Sequence, residues 1–198
     1  MLADGLAPVQ RAVRDAEFAT VHSRSFSPLI VPGLLQTERY IRAVLQQVSQ
    51  VYGPEDDDLD EAVAARLNRQ DVLAAPGHSW HHVLLEQVLW SPHGSLDLWG
   101  EQLTRLAEVA RGAVPSYRLG VIKRGTVWAG AIPNMSVQFT ISDDREVGLE
   151  LPHTFLVPTD PDEIASYVCA FDCADRLAVY GEEAAAVIEA AAEQMGVG

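Results

Sequence analysis

From Thr37 onward the apolar positions Tyr40, Ile41, Val44, Leu45, Val48 and Val51 have partners three or four residues away, the spacing of one face of a helix. Thr37 is a natural N-cap and Gly53-Pro54 a natural stop. Similar periodicity predicts a second helix from the acidic run 56–61 to about Leu73, with Leu59, Val63 and Leu67 inward, and a third over 95–110 on Leu96, Trp99, Leu103 and Leu106. A weaker stripe of Val9, Ala12, Val13 and Ala16 predicts a helix over 1–16, and Phe18–His22 reads as a short extended segment. Trp80–Leu85 reads as a strand. After residue 115 the period changes to two: Tyr117, Leu119 and Val121, then Met135, Val137, Phe139 and Ile141, then Val147, Leu149 and Leu151. Asp143-Asp144 supplies a hairpin turn, Thr154–Val157 a further strand, and two helices close the chain, one capped by Thr159 or Asp160 ahead of Pro161 and one over 182–195.

This order of elements predicts an α+β fold, with N- and C-terminal helices packed on one antiparallel β-sheet. Its expected organisation is a helical extension over 1–17 followed by one domain over 18–198. With 198 residues and 48% hydrophobic content the chain can fill a core without staples. Cys169 and Cys173, four apart in a helical pattern, read as structural thiols rather than a disulfide. The net charge of −14 argues against direct nucleic-acid binding and against an anionic membrane surface. No targeting segment or membrane-spanning run is visible, so a cytoplasmic location is expected.

The run Val31-Pro32-Gly33-Leu34-Leu35-Gln36-Thr37 combines rigid Pro, permissive Gly, two apolar anchors and a cap, which fixes how an extended segment enters a helix. Together with Tyr40, Arg66-x-x-Arg69-Gln70, Glu86 and Glu101-Gln102-Leu103-x-x-Leu106, it resembles the C-terminal domain of uncharacterised function in actinobacterial XRE-type, antitoxin-like helix-turn-helix transcriptional regulators. The resemblance covers roughly residues 18–190. It implies a sensor or interaction domain; no helix-turn-helix fits ahead of residue 31, so such a domain is expected to work without its own DNA reader. Ala129–Ser136 departs from the family, which places a Gly-rich turn before a Phe-bearing strand there.

Candidate chemistry follows from residue types. Arg66 and Arg69 share a helix face, where two guanidiniums can clamp a carboxylate or phosphate, or pair internally with Asp60, Glu61, Asp71 or Glu86. His81 and His82 are adjacent in a strand and point to opposite faces, so they cannot chelate one metal; His82 and Glu86 are the candidate acid–base couple. Trp90 and Trp128 lie in expected loops, where aromatics contact ligands or partners, while the other tryptophans read as core. No catalytic, P-loop or dinucleotide motif is present, and neither a metal nor a cofactor is expected. The leading expectation is a regulatory domain that binds a small apolar or acidic ligand, or a partner protein, through Arg66, Arg69, Glu86, Trp90 and Trp128. The alternative is an enzyme of secondary metabolism on the same scaffold, with Arg66 and Arg69 holding an acidic substrate and His82 or Glu86 moving protons. The first helix is the natural handle for a homodimer.

Overall fold

The computed structural model describes residues 6–52, 58–128, 137–151 and 154–197. Among these residues six helices flank one seven-stranded sheet of order β6-β5-β4-β1-β2-β3-β7. The strands are β1 (His22–Ser27), β2 (Ser79–Leu85), β3 (Tyr117–Ile122), β4 (Phe139–Ser142), β5 (Glu146–Leu151), β6 (Thr154–Leu156) and β7 (Val179–Tyr180). The helices are α1 (Leu6–Ala19), α2 (Glu38–Tyr52), α3 (Leu59–Arg69), α4 (Leu96–Ala110), α5 (Pro161–Leu177) and α6 (Gly181–Gln194).

The α+β class and the helices on the sheet are as expected, but the sheet is mixed rather than antiparallel throughout. β1 pairs parallel with β2, and β2 with β3. The reason is the length of the connections: α2 and α3 separate β1 from β2, and α4 separates β2 from β3. Such helical crossovers bring strands back in the same direction. The remaining pairs, β1–β4, β4–β5, β5–β6 and β3–β7, are antiparallel.

Two cores lie on opposite faces of the sheet. On one face Trp80, Leu84, Tyr117, Leu119 and Val121 pack with Val31, Leu34, Leu35, Tyr40 and Val44, with Trp99, Leu103 and Leu106 of α4, and with Ile188 of α6. On the other, Phe26, Val83, Ile122, Phe139, Ile141 and Val147 pack with Ile164 and Phe171 of α5. A third cluster joins α1, α2 and α3 through Leu6, Ala7, Ile41, Leu45, Ala62 and Val63.

Local signals explain most boundaries. Thr37 caps α2: its carbonyl accepts from the Ile41 amide at 2.9 Å and its Oγ1 from the Tyr40 amide at 3.4 Å. Asp160, not Thr159, caps α5, accepting from the amides of Asp162 and Glu163 at 2.9 and 3.3 Å. Asp143 and Asp144 turn the β4–β5 hairpin with φ of 51° and 56°. Aspartate serves here instead of glycine because the Asp143 carboxylate also accepts from the amides of Val21 and His22, at 3.1 and 2.7 Å, and so anchors the start of β1.

Three expectations need correction. Phe18 and Ala19 belong to α1, and the strand begins only at His22. Ala12 and Ala16 are exposed, and the inward face of α1 carries Leu6, Ala7 and the polar Gln10. α3 ends at Arg69, with Gln70–Leu73 continuing as a 3-10 turn. In the acidic run, Asp58 Oδ2 accepts from the Ala7 amide at 2.9 Å, so it serves the first turn of α1; residues 53–57 lie outside the described residues, as do Ala129–Ser136.

The segment before α2 is pinned by α4. Gln102, fully buried, donates from Nε2 to the Leu35 carbonyl at 2.9 Å and accepts the Thr37 amide on Oε1 at 2.8 Å. Replacing Gln102 by Leu strands both backbone groups and is expected to cost about 2–4 kcal/mol in chemical denaturation, whereas a solvated glutamine would cost almost nothing.

Candidate functional site

The sequence candidates other than Trp128 fall into three separate places. The first is a buried polar cluster where α1, α3 and the Val31–Thr37 segment meet. Arg69, 8% exposed, donates from Nε and Nη2 to the two oxygens of Glu17 at 2.9 and 2.6 Å, and from Nη1 to Gln10 Oε1 at 2.8 Å. Its guanidinium lies so close over Gly33 that a Cβ there would meet Nη2 at 2.9 Å. Arg66 donates from Nε to Gln10 Oε1 at 2.9 Å and from Nη1 to Gln36 Oε1 at 3.0 Å. Gln36 in turn donates to the Val31 carbonyl at 2.8 Å, and Gln70 donates to the Gln36 carbonyl at 2.7 Å. The motif residues and the two arginines therefore form one network, and the proposed partners Asp60, Glu61, Asp71 and Glu86 take no part in it; Asp60 binds Arg42 and Glu61 binds Arg11.

The electrostatics of the two arginines differ. Burial, then the neighbouring Arg69 charge, lowers the Arg66 guanidinium to about 10, with Glu150, Glu17 and Tyr40 acting the other way. Tyr40, wholly buried, has its hydroxyl raised by burial, against the Val31 amide and Arg66.

The second place is the sheet face beside this cluster. Ser23, Ser25 and Ser27 of β1 are all buried and share that face with Trp80 and His82 of β2, Tyr117 of β3 and Thr140 of β4. His82 shares a 2.8 Å hydrogen bond with Ser27 Oγ, and its ring stacks on Tyr117 at 6.3 Å between centroids. Ser25 Oγ donates to Thr140 Oγ1 at 3.1 Å. Glu150 extends this face on β5, where Gln138 Nε2 donates to it at 3.3 Å. The indole N–H of Trp80 is buried without a hydrogen-bond partner among the described residues, and the Tyr40 hydroxyl, whose oxygen faces the Val31 amide, has no acceptor for its own proton there.

The third place lies past the carboxyl ends of the parallel strands. Glu86, in the 3-10 turn Glu86–Trp90, accepts from the Arg124 amide at 2.7 Å, from Arg124 Nε at 2.9 Å and from Trp90 Nε1 at 3.1 Å. The Arg124 guanidinium stacks over Trp90, 4.0 Å from the ring centroid. Glu86 and Trp90 are thus joined, but to Arg124, which sequence reading did not single out. Trp128 packs instead with Leu85 on the α5 core.

His82 and Glu86 do not form the expected couple, since each is bound to different partners. A further cluster was missed altogether: on the α5 face His81 Nε2 lies 2.9 Å from Tyr180 Oη, Tyr180 donates to Asp175, and Arg118 stacks on the Tyr180 ring at 3.9 Å. Burial and the nearby Arg118 charge lower His81. Among the described residues no group of His, Cys, Asp and Glu is arranged to hold a metal, and both cysteines are free. An open groove of about 510 Å³ between the β4–β5 turn and α5, lined by Asp144, Arg145, Pro161, Ile164 and Val168, contains none of the sequence candidates.

A family model described as a domain of unknown function, DUF5753, matches residues 10–190. The chain belongs to the DUF5753 family. No curated protein and no solved structure matches it. Nearly all that is described above, from Gln10 to Tyr180, lies inside the DUF5753 match, including every residue of the Arg66–Arg69 network. No described helix is long and apolar enough to cross a membrane.

Two outcomes follow. Gly33→Ala must push the Arg69 guanidinium off its site and is expected to destabilise the domain by about 1–3 kcal/mol in urea unfolding, a loss that should be smaller when the substitution is made in an Arg69→Met background, which has already lost the pair with Glu17. His82 is held neutral, its pKa driven down to about 3 by burial and by His81. An unfolded histidine near 6.5 binds the proton that folded His82 refuses, so stability present above pH 6.5 falls as the pH drops toward 3, by up to about 1.4 kcal/mol per pH unit. His82→Gln should flatten that slope in pH-dependent denaturation, and an unchanged slope would exclude His82 as its source.

Proposed function

We propose that this domain is the non-catalytic, ligand-binding part of a regulator, and that it receives a small molecule over the serine-bearing face of the sheet beside Arg66. The observation that carries this reading is the composition of β1. A strand paired on both sides should present apolar side chains to the helices that cover it, yet this one presents Ser23, Ser25 and Ser27. Buried hydroxyls cost free energy unless they are satisfied, and they serve recognition better than stability.

The regulatory context comes from the resemblance of the motif set to the C-terminal domains of XRE-type regulators. It is supported by what those motif residues do here, which is to bind one another and the backbone rather than to converge on a reacting centre. The enzyme alternative requires Arg66 and Arg69 on one substrate, with His82 or Glu86 beside it to move protons. Arg69 is bound by Glu17, and Glu86 by Arg124 and Trp90, which weighs against that alternative.

Unfolding temperature measured against a library of small metabolites tests the reading. A cognate ligand at about a hundred times its Kd should stabilise the domain by about 2.7 kcal/mol, and Ser25→Leu should abolish the gain while leaving the unliganded domain folded. A library that produces no gain, or a gain that survives Ser25→Leu, contradicts it.

A further inference from the structure

We infer that Cys169 and Cys173 form a dithiol site for a thiophilic electrophile with two exchangeable ligands, of the class of the monosubstituted trivalent arsenicals; the inference is independent of the receptor reading above. Cysteine is among the residue types most often buried, where it packs as a small apolar side chain. Packing does not account for these two. α5 turns Ile164, Ala170, Phe171 and Ala174 inward, whereas Cys169 is exposed, Cys173 is half-buried, and neither belongs to the three cores. Four residues apart, they share the outer face of one continuous helix. Arg176, exposed on the same face, donates from Nη2 to Cys173 Sγ at 3.0 Å, and among the described residues its side chain has no carboxylate partner. The neighbouring Asp172 lies 3.5 Å from Arg24 instead.

The spacing selects the partner. Side chains one helical turn apart hold their Cβ atoms about 5–6 Å apart, and a disulfide brings them to about 3.5–4.5 Å, so a direct S–S bond requires α5 to distort. A third atom between the sulfurs removes that demand. A divalent metal is not selected, since zinc takes four ligands, or three and a water, and among the described residues no third His, Cys, Asp or Glu completes such a group. A trivalent arsenic that carries one carbon substituent has two ligands left to exchange, and the helix offers two sulfurs. In the step, two As–O bonds of the hydrated arsenical break and two As–S bonds form. The two thiol protons leave with the oxygens as two waters, and arsenic stays trivalent, so neither oxidant nor reductant is consumed. Arg176 donates to the sulfur on which electron density builds as the proton departs. The second As–S bond closes within one helical turn, where the effective concentration of the thiol far exceeds that of a free one.

The experiment is titration of the reduced full chain with phenylarsine oxide, followed by intact mass, by a count of free thiols and by unfolding temperature. One phenylarsenic group per chain and loss of both thiols are expected, with Cys169→Ser and Cys173→Ser each binding about a hundredfold more weakly. The adduct should raise the unfolding temperature, because the folded helix holds the two sulfurs side by side and the unfolded chain does not. Arg176→Met should weaken binding threefold or more. Full affinity in either single-cysteine variant, or two arsenicals per chain, would overturn the inference. So would an unfolding temperature that stays level or falls, since two thiols in a flexible chain would then serve as well as the helix. Unchanged affinity in Arg176→Met would remove the part given to Arg176.

Discussion

Everything near the candidate site depends on one buried ion pair, Arg69 with Glu17, laid over Gly33. It joins the end of α3 to the end of α1 and presses both against the segment that leads into α2. Both oxygens of the carboxylate are used, and the third face of the guanidinium is closed by Gln10. Breaking such a pair by removing one partner leaves a charge with no water, a loss of about 3–5 kcal/mol. Only a residue without a side chain fits underneath. That explains Gly33 better than any need for an unusual backbone conformation, since it is not among the glycines with positive φ.

Gln102, Gln36 and Gln70 extend this arrangement by binding backbone groups of the same segment. The family motif is therefore a scaffold, in which amide side chains hold an irregular segment that has no ladder of its own. Against that background Arg66 stands apart. It belongs to the same network, but its hydrogen-bond partners are the neutral amides of Gln10 and Gln36.

The elements were legible wherever apolar periodicity was strong and capping residues were explicit: Thr37 into α2, β2 from Trp80, α4 and the Asp143-Asp144 turn. β1 was not, because Ser-Arg-Ser-Phe-Ser carries one large apolar residue in a central strand and reads as surface. α1 was misread for the same reason. Its inward face includes Gln10 and is followed by Glu17 on the same side, so a search for apolar stripes selects Ala12 and Ala16, which are exposed. Pairing Glu86 with Arg124 instead of the α3 arginines depends on where β2 and β3 end side by side, and no local pattern encodes that. The misread positions and the proposed site coincide, because a polar interior is invisible to a method that looks for apolar ones.

Native-state hydrogen exchange of the Thr37 amide decides whether Val31–Thr37 is part of the frame. Its acceptor is the side chain of buried Gln102 rather than another strand or helix turn. If the segment is a frame element, this amide exchanges only through global unfolding, at the same free energy as the slowest amides of β2 and β3. Exchange through a local opening, several kcal/mol cheaper than global unfolding, would show that the segment is a moving part and would contradict the account.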